Sequence, residues 1–303
     1  MDMIKAFYSY SSILSQREYV DILKSYYRYN KNILLSLYDI KYYLNNEKDL
    51  LQDIFNCMNS IFLDSGRYEI NASLRLGLSS KKWDYSLYLD TLKWVLSEFN
   101  LNNKLYIGNY DDYSLNLNDQ IGASINTFNE IKNDFKTKQV RYVFTIHPKS
   151  FKVDDWDSPV IQNLASNFKG SSLIAIPEKE LGASISDKIK NIKILTSYDY
   201  PLHLLGCLDP TYLIIFVLTG VRYFDGLNWL KFYFNDKVSY YRNLYELDLN
   251  MGKALDSRSY IVNNCIYIDK LINDLEYSIN TGDYTIFEEE QRILSKICLN
   301  KEV

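Results

Sequence analysis

Residues 47–64 read Glu47-Lys48-Asp49-Leu50-Leu51-Gln52-Asp53-Ile54-Phe55-Asn56-Cys57-Met58-Asn59-Ser60-Ile61-Phe62-Leu63-Asp64. The first part, Glu47–Asn59, has helical spacing, and Ser60–Leu63 is a short apolar run prone to β structure. The same alternation recurs along the chain. Strand-like runs fall at Ile4–Tyr8, Ile33–Leu37, Ser60–Leu63, Lys104–Tyr110, Val140–Ile146, Ser172–Ile176, Leu202–Leu205 and Val221–Phe224. Helix-like stretches lie between them, at Glu47–Asn59, Ser86–Phe99, Asp119–Phe135 and Ser184–Ile194. Such alternation predicts a parallel sheet covered by helices.

Eight strand-like runs in 303 residues predict an α/β fold, a closed (β/α)8 TIM barrel of about 250 residues with a short helical extension. The barrel is expected over about residues 4–242 and the extension over about 243–303, as one domain spanning 1–303. Several runs are almost continuously apolar, as strands buried on both faces are. A doubly wound open sheet is the rival, but no glycine-rich phosphate loop follows the first strand.

Composition narrows the function classes. With 47% hydrophobic and 24% charged residues, the chain is a folded globular protein rather than a disordered one. Eleven Gly and five Pro are too few for a long flexible linker. The 28 Tyr fit an AT-rich coding bias better than a function. A net charge of −4 argues against a broadly basic nucleic-acid binder, so positive charge for such a partner must be local. Cys57, Cys207, Cys265 and Cys298 lie far apart, without zinc-site spacing or a secretory signal, which fits a reduced cytoplasm. The most apolar run, Tyr212 to Leu218, is far shorter than the roughly 20 residues of a membrane span.

In a barrel of this kind, chemistry is built at the carboxyl ends of the strands. The residues just past the apolar runs are Asp64, Asp111 with Asp112, His147, Glu178, Gly206 and Asp225. Carboxylates placed there are costly unless used or paired. Each has an ordinary reading too. Asp64-Ser65-Gly66 and Asp225-Gly226 are common turn chemistry, and Glu178 and Glu180 suit the first turn of a helix.

Together these motifs resemble the tRNA-guanine transglycosylase superfamily, and most of all its DNA-modifying branch, the DpdA-type DNA-guanine transglycosylases. The family's Asp-Ser-Gly-Gly-Phe-Gln is matched by Asp64-Ser65-Gly66-Arg67-Tyr68-Glu69. Its Gly-ended strand and Gly-Val-Asp-x-Phe-Asp are matched by Leu202-His203-Leu204-Leu205-Gly206 and by Gly220-Val221-Arg222-Tyr223-Phe224-Asp225-Gly226. Tyr8-Ser9-Tyr10-Ser11-Ser12, Ser36-Leu37-Tyr38-Asp39-Ile40 and Ala175-Ile176-Pro177-Glu178-Lys179-Glu180-Leu181-Gly182 also look like the DNA branch. The likeness covers roughly residues 4–290, and only the two aspartate motifs are specific.

The resemblance implies Asp225 as nucleophile and Asp64 as general acid/base. It puts base recognition on Asp111, with Asp112 as the register alternative, and on or beside His147. Ala175, Ile176 and Glu178 would supply sixth-strand contacts, Gly206 would follow the seventh strand, and Tyr68 would stack on the base. Arg67 and Glu69 depart from the family's Gly and Gln. The family's Cys-x-Cys-x-x-Cys and His are missing, since only Cys265 and Asn263-Asn264 stand in that stretch, so neither zinc nor another cofactor is expected. Implied partners are DNA, or else tRNA, and a free 7-deazaguanine base such as preQ0. A second copy or a helper protein is a further candidate, and a membrane is not expected. Lys231, Lys237 and Arg242, with Lys149 and Lys152, are the local cations for a nucleic acid, and Tyr233, Tyr240 and Tyr241 interleave with the first group.

Overall fold

A computed structural model describes residues 3–14, 17–77, 80–101, 104–112, 114–132, 140–147, 172–197, 201–230 and 257–299. Eight parallel strands follow one another in chain order and close into a barrel. They are β1 (Lys5–Tyr10), β2 (Asn32–Ser36), β3 (Ser60–Asp64), β4 (Lys104–Gly108), β5 (Val140–Thr145), β6 (Ser172–Pro177), β7 (Leu202–Leu205) and β8 (Tyr223–Gly226). All eight expected strands are present, with ends shifted by up to two residues. Helices between them include α1 (Tyr19–Tyr26), α2 (Leu37–Asp39, running into a π-helical turn at Ile40–Leu44) and α3 (Lys48–Cys57). Then come α4 (Arg67–Arg75), α5 (Tyr85–Glu98), α6 (Leu117–Lys132), α7 (Ile185–Ser197), α8 (Pro210–Leu218), α9 (Ser257–Thr281) and α10 (Glu288–Leu299).

The chain forms two compact units. One comprises the described residues from 7 to 147 and from 172 to 176. Its strands pair in register, with Leu34 beside Phe62, Phe62 beside Tyr106, and Ser36 beside Asp64. Phe7 meets Phe62 and Tyr106 edge-on, with ring centroids 5.8 and 5.0 Å away. All three rings are buried, and burying each contributes about 2–3 kcal/mol.

β4 ends as a ladder at Gly108, two residues earlier than its apolar run. There the buried Asn109 side chain takes over: its Oδ1 accepts from Thr145 N (2.6 Å) and its Nδ2 donates to Thr145 O (3.4 Å). An amide side chain thus replaces a backbone pair, and the strand can turn without orphaning buried polar groups.

The other unit comprises the described residues 3–6 and 177–299. At its centre is α8, whose Pro-Thr-Tyr-Leu-Ile-Ile-Phe-Val-Leu sequence is apolar on nearly every side. The most apolar run of the chain is therefore a buried core helix. Asp209 caps it by accepting from Thr211 N at 3.0 Å, and Pro210 occupies its first turn. α9 and α10 both pack on it. Among the described residues no helix is long and apolar enough to cross a membrane.

Val221 was expected in a strand, but it ends α8: its N–H bonds Phe216 O (3.0 Å) while Gly220, at φ +108°, bonds Val217 O (3.1 Å). This cap moves the start of β8 to Tyr223.

Candidate functional site

In the first unit, β3 delivers Asp64 into a tight turn. Asp64 Oδ2 accepts from Gly66 N (3.1 Å), and Ser65 Oγ accepts from Arg67 N (3.2 Å), starting α4. The turn reading of Asp-Ser-Gly is therefore correct as local structure. Gly66 sits at φ +83°, and a Cβ there would come within 2.5 Å of Tyr38 Cβ and 2.9 Å of Tyr38 N. From the other side Trp83 Nε1 donates to Ser65 O at 2.9 Å. Gly66→Ala is expected to destabilise the protein by about 2–4 kcal/mol, from backbone strain plus overpacking. Urea unfolding at neutral pH measures this.

Asp111 is buried beside that turn. Ser65 Oγ donates to its Oδ1 in a short hydrogen bond, and His147 Nε2 stands 2.8 Å from its Oδ2. His147 is held in turn by Gln120 of α6, which accepts from His147 N (2.9 Å) and donates to His147 O (3.1 Å). Asp112 faces outward. It accepts from Ser114 N and Oγ at 2.8 and 2.7 Å and lies 3.9 Å from Arg67. The two register alternatives are thus separated by geometry, with Asp111 the one joined to His147.

Arg67 lies over the Tyr110 ring (5.4 Å) and donates to its hydroxyl at 3.3 Å. Tyr68 is 38% exposed, so its ring is available to a ligand. Ala175 and Ile176 are fully buried on β6, and the Ala175 carbonyl accepts from Ile146 N at 2.9 Å.

Sequence reading missed a second acidic pair in this unit. Asp39 follows β2 and is wholly buried; Ser12 N and Oγ donate to its two oxygens at 3.0 and 2.5 Å. Glu69 on α4 is also buried, and Ser11 Oγ donates to its Oε1 at 2.7 Å, while its Oε2 meets no partner. Burial pushes the Asp39 carboxyl up to about 6. Burial, then Asp39 and Asp64, push Glu69 well above the usual carboxylate range. The Ser-Ser and Ser-Leu-Tyr-Asp motifs are thus two halves of one buried network.

In the other unit, β7 places His203 and β8 places Asp225. His203 Nε2 lies 3.1 Å from Asp225 Oδ1, and Gly206 N donates to the same oxygen at 3.3 Å, with Gly206 at φ +74°. Both side chains are buried, and donors offset the cost of burying a carboxylate. Glu178 is ion-paired with Lys188, whose ammonium lies 5.4 Å above the Tyr212 ring. Burial and the nearby acids raise the Cys207 thiol well above its usual range, so it is no nucleophile at neutral pH.

Lys149, Lys152, Lys231, Tyr233, Lys237, Tyr240, Tyr241 and Arg242 lie outside the described residues. Among the described residues no group of three or more His, Cys, Asp or Glu side chains is arranged to hold a metal ion. The hydroxyl of Ser65 donates to a carboxylate and not to an imidazole, so Ser65, Asp111 and His147 do not form a serine nucleophile relay. The chain matches no known protein-family model, and a search of curated proteins finds no match.

Proposed function

We propose that the chain is a guanine transglycosylase, a pentosyltransferase that replaces guanine in DNA with a 7-deazaguanine such as preQ0. The observation that carries the reading is the double anchoring of Asp225 by His203 and Gly206 at the carboxyl end of a barrel strand. A buried carboxylate held at a fixed angle is what covalent attack on a sugar carbon requires.

In this reading Asp225 forms a bond to C1′ as the C1′–N9 bond breaks, and the electron pair of that bond leaves with the base. Asp64 gives its proton to the departing guanine. The incoming 7-deazaguanine then loses a proton to Asp64, and its N9 displaces Asp225 from C1′. Atoms balance without water. Asp111 accepts from the N1–H and N2–H groups of the base and so rejects bases that lack them. Tyr68 stacks on the base, which must be taken out of the duplex first.

The absence of the zinc-binding Cys pattern from the sequence favours DNA over tRNA. Labelled 7-deazaguanine incubated with the protein and either DNA or tRNA tests the reading. Label is expected in DNA. Label in tRNA would change the polymer and keep the chemistry. Guanine release without incorporation would make the protein a base-excising glycosylase. Neither release nor incorporation would leave a non-catalytic binding subunit.

A further inference from the structure

The chain contains two histidines, and both are buried against strand-end aspartates. His147 is 4% exposed and His203 0% exposed. Each presents Nε2 to a carboxylate oxygen, at 2.8 Å from Asp111 and 3.1 Å from Asp225. The surroundings differ. Asp111 also accepts from Ser65, and His147 is clasped on its backbone by Gln120. Asp225 also accepts from a backbone N–H, that of Gly206.

We propose that both histidines are positioning residues with the proton on Nε2, His147 orienting Asp111 for reading the base and His203 orienting Asp225 for attack on the sugar. A carboxylate cannot donate, so Nε2 must carry the hydrogen wherever its aspartate is ionised. In the first pair His147 and Ser65 hold the two oxygens of Asp111, and in the second His203 and the Gly206 N–H hold one oxygen of Asp225, so each imidazole helps to fix the plane of its carboxylate. The assignment of roles rests on the transglycosylase reading; the proton placement does not.

Because two imidazoles are the whole set, each can be read separately. Full-length protein labelled with 15N-histidine is examined by long-range 1H–15N correlation at pH 7. Single His→Gln variants assign the signals, and if one variant does not fold the other assigns both. The expected result is a protonated Nε2 in both rings. Free guanine is expected to shift the His147 signals and leave those of His203 unchanged. An imidazole protonated on Nδ1 alone, at either position, overturns the positioning role there. Guanine that leaves His147 unmoved, or that moves His203 instead, overturns the division of roles.

Kinetics give a second readout. His203→Leu is expected to lower kcat by about a hundredfold with KM for the base within twofold, and His203→Gln, which keeps a donor, to recover most of it. His147→Leu is expected to raise KM for the base at least tenfold with a smaller change in kcat. Equal losses in the Leu and Gln variants would reduce His203 to a packing residue. A protein whose His147 responds to guanine but which transfers no label keeps the proton placement and the part of His147 in base binding, and loses the transglycosylase reading together with the role of His203 in attack on the sugar.

Discussion

Asp225→Asn is expected to reduce incorporation of labelled 7-deazaguanine into DNA by on the order of 10^4-fold, the scale of losing a covalent nucleophile. The asparagine keeps an acceptor for Gly206 N and His203 Nε2, so stability should change by only about 1 kcal/mol. Activity and folding are thereby separated. The wild-type protein should also yield a protein–DNA adduct that survives denaturation, and Asp225→Asn should not. On the proposed mechanism Asp64→Asn would remove the proton donor and is expected to slow base release by about 10^2–10^4-fold. If Asp225→Asn incorporates label as fast as the wild type, the nucleophile lies elsewhere.

The second large effect concerns pH and stability. Asp39 titrates near 6 in the folded protein against an ordinary value of 3.8, because burial disfavours its charge. Glu69 is displaced in the same direction by burial and by Asp39 and Asp64. The folded state therefore holds protons that the unfolded chain has released, and stability falls as pH rises. For Asp39 alone the loss is about 2 kcal/mol between pH 4 and pH 7, at about 1.4 kcal/mol per tenfold change in proton affinity. Glu69 extends the loss to higher pH.

Glu69→Gln keeps an acceptor for Ser11 Oγ and removes one of the two charges. It is expected to flatten the decline and to be more stable than the wild type at pH 8. Urea unfolding from pH 4 to pH 8 measures both. A wild-type stability that rises steadily across this range would show that the pair does not hold its proton. The exposed cap carboxylates Asp84, Asp187 and Asp283 act in the opposite sense, and in a window below pH 4, because their hydrogen bonds lower them.

The barrel was legible because its strands are buried on both faces and so appear as bare apolar runs such as Ile33-Leu34-Leu35 and Ile61-Phe62-Leu63. Strand ends were less legible, since they depend on groups outside the run. The Asn109 amide ends the β4 ladder at Gly108, the glycine cap of α8 delays β8, and Ser36 starts α2 by accepting from Asp39 N at 3.0 Å.

The same limit applied to the site. Asp64, Asp111 and Asp225 stand at strand ends, where pattern finds them. Other groups that hold the site do not: Gln120, which clasps the His147 backbone, lies in the first turn of α6, His203, the partner of Asp225, is inside a strand, and Ser12 meets Asp39 across 27 residues of sequence. Glu69 was legible only as a departure from the motif that the sequence resembles; its burial, which with Asp39 and Asp64 raises its carboxyl well above the usual carboxylate range, depends on packing that no local pattern shows.

The Trp83 indole, bonded to the Ser65 carbonyl and packed edge-on against Tyr38 at 5.7 Å, is a built-in chromophore for this corner of the protein. Any shift of the Asp64-Ser65-Gly66 turn must stretch or release that bond and so change the emission of one fluorophore. The chain's other tryptophans are Trp94, Trp156 and Trp229, so a version retaining Trp83 alone would let ligand engagement be followed by light, in real time and without a radiolabel.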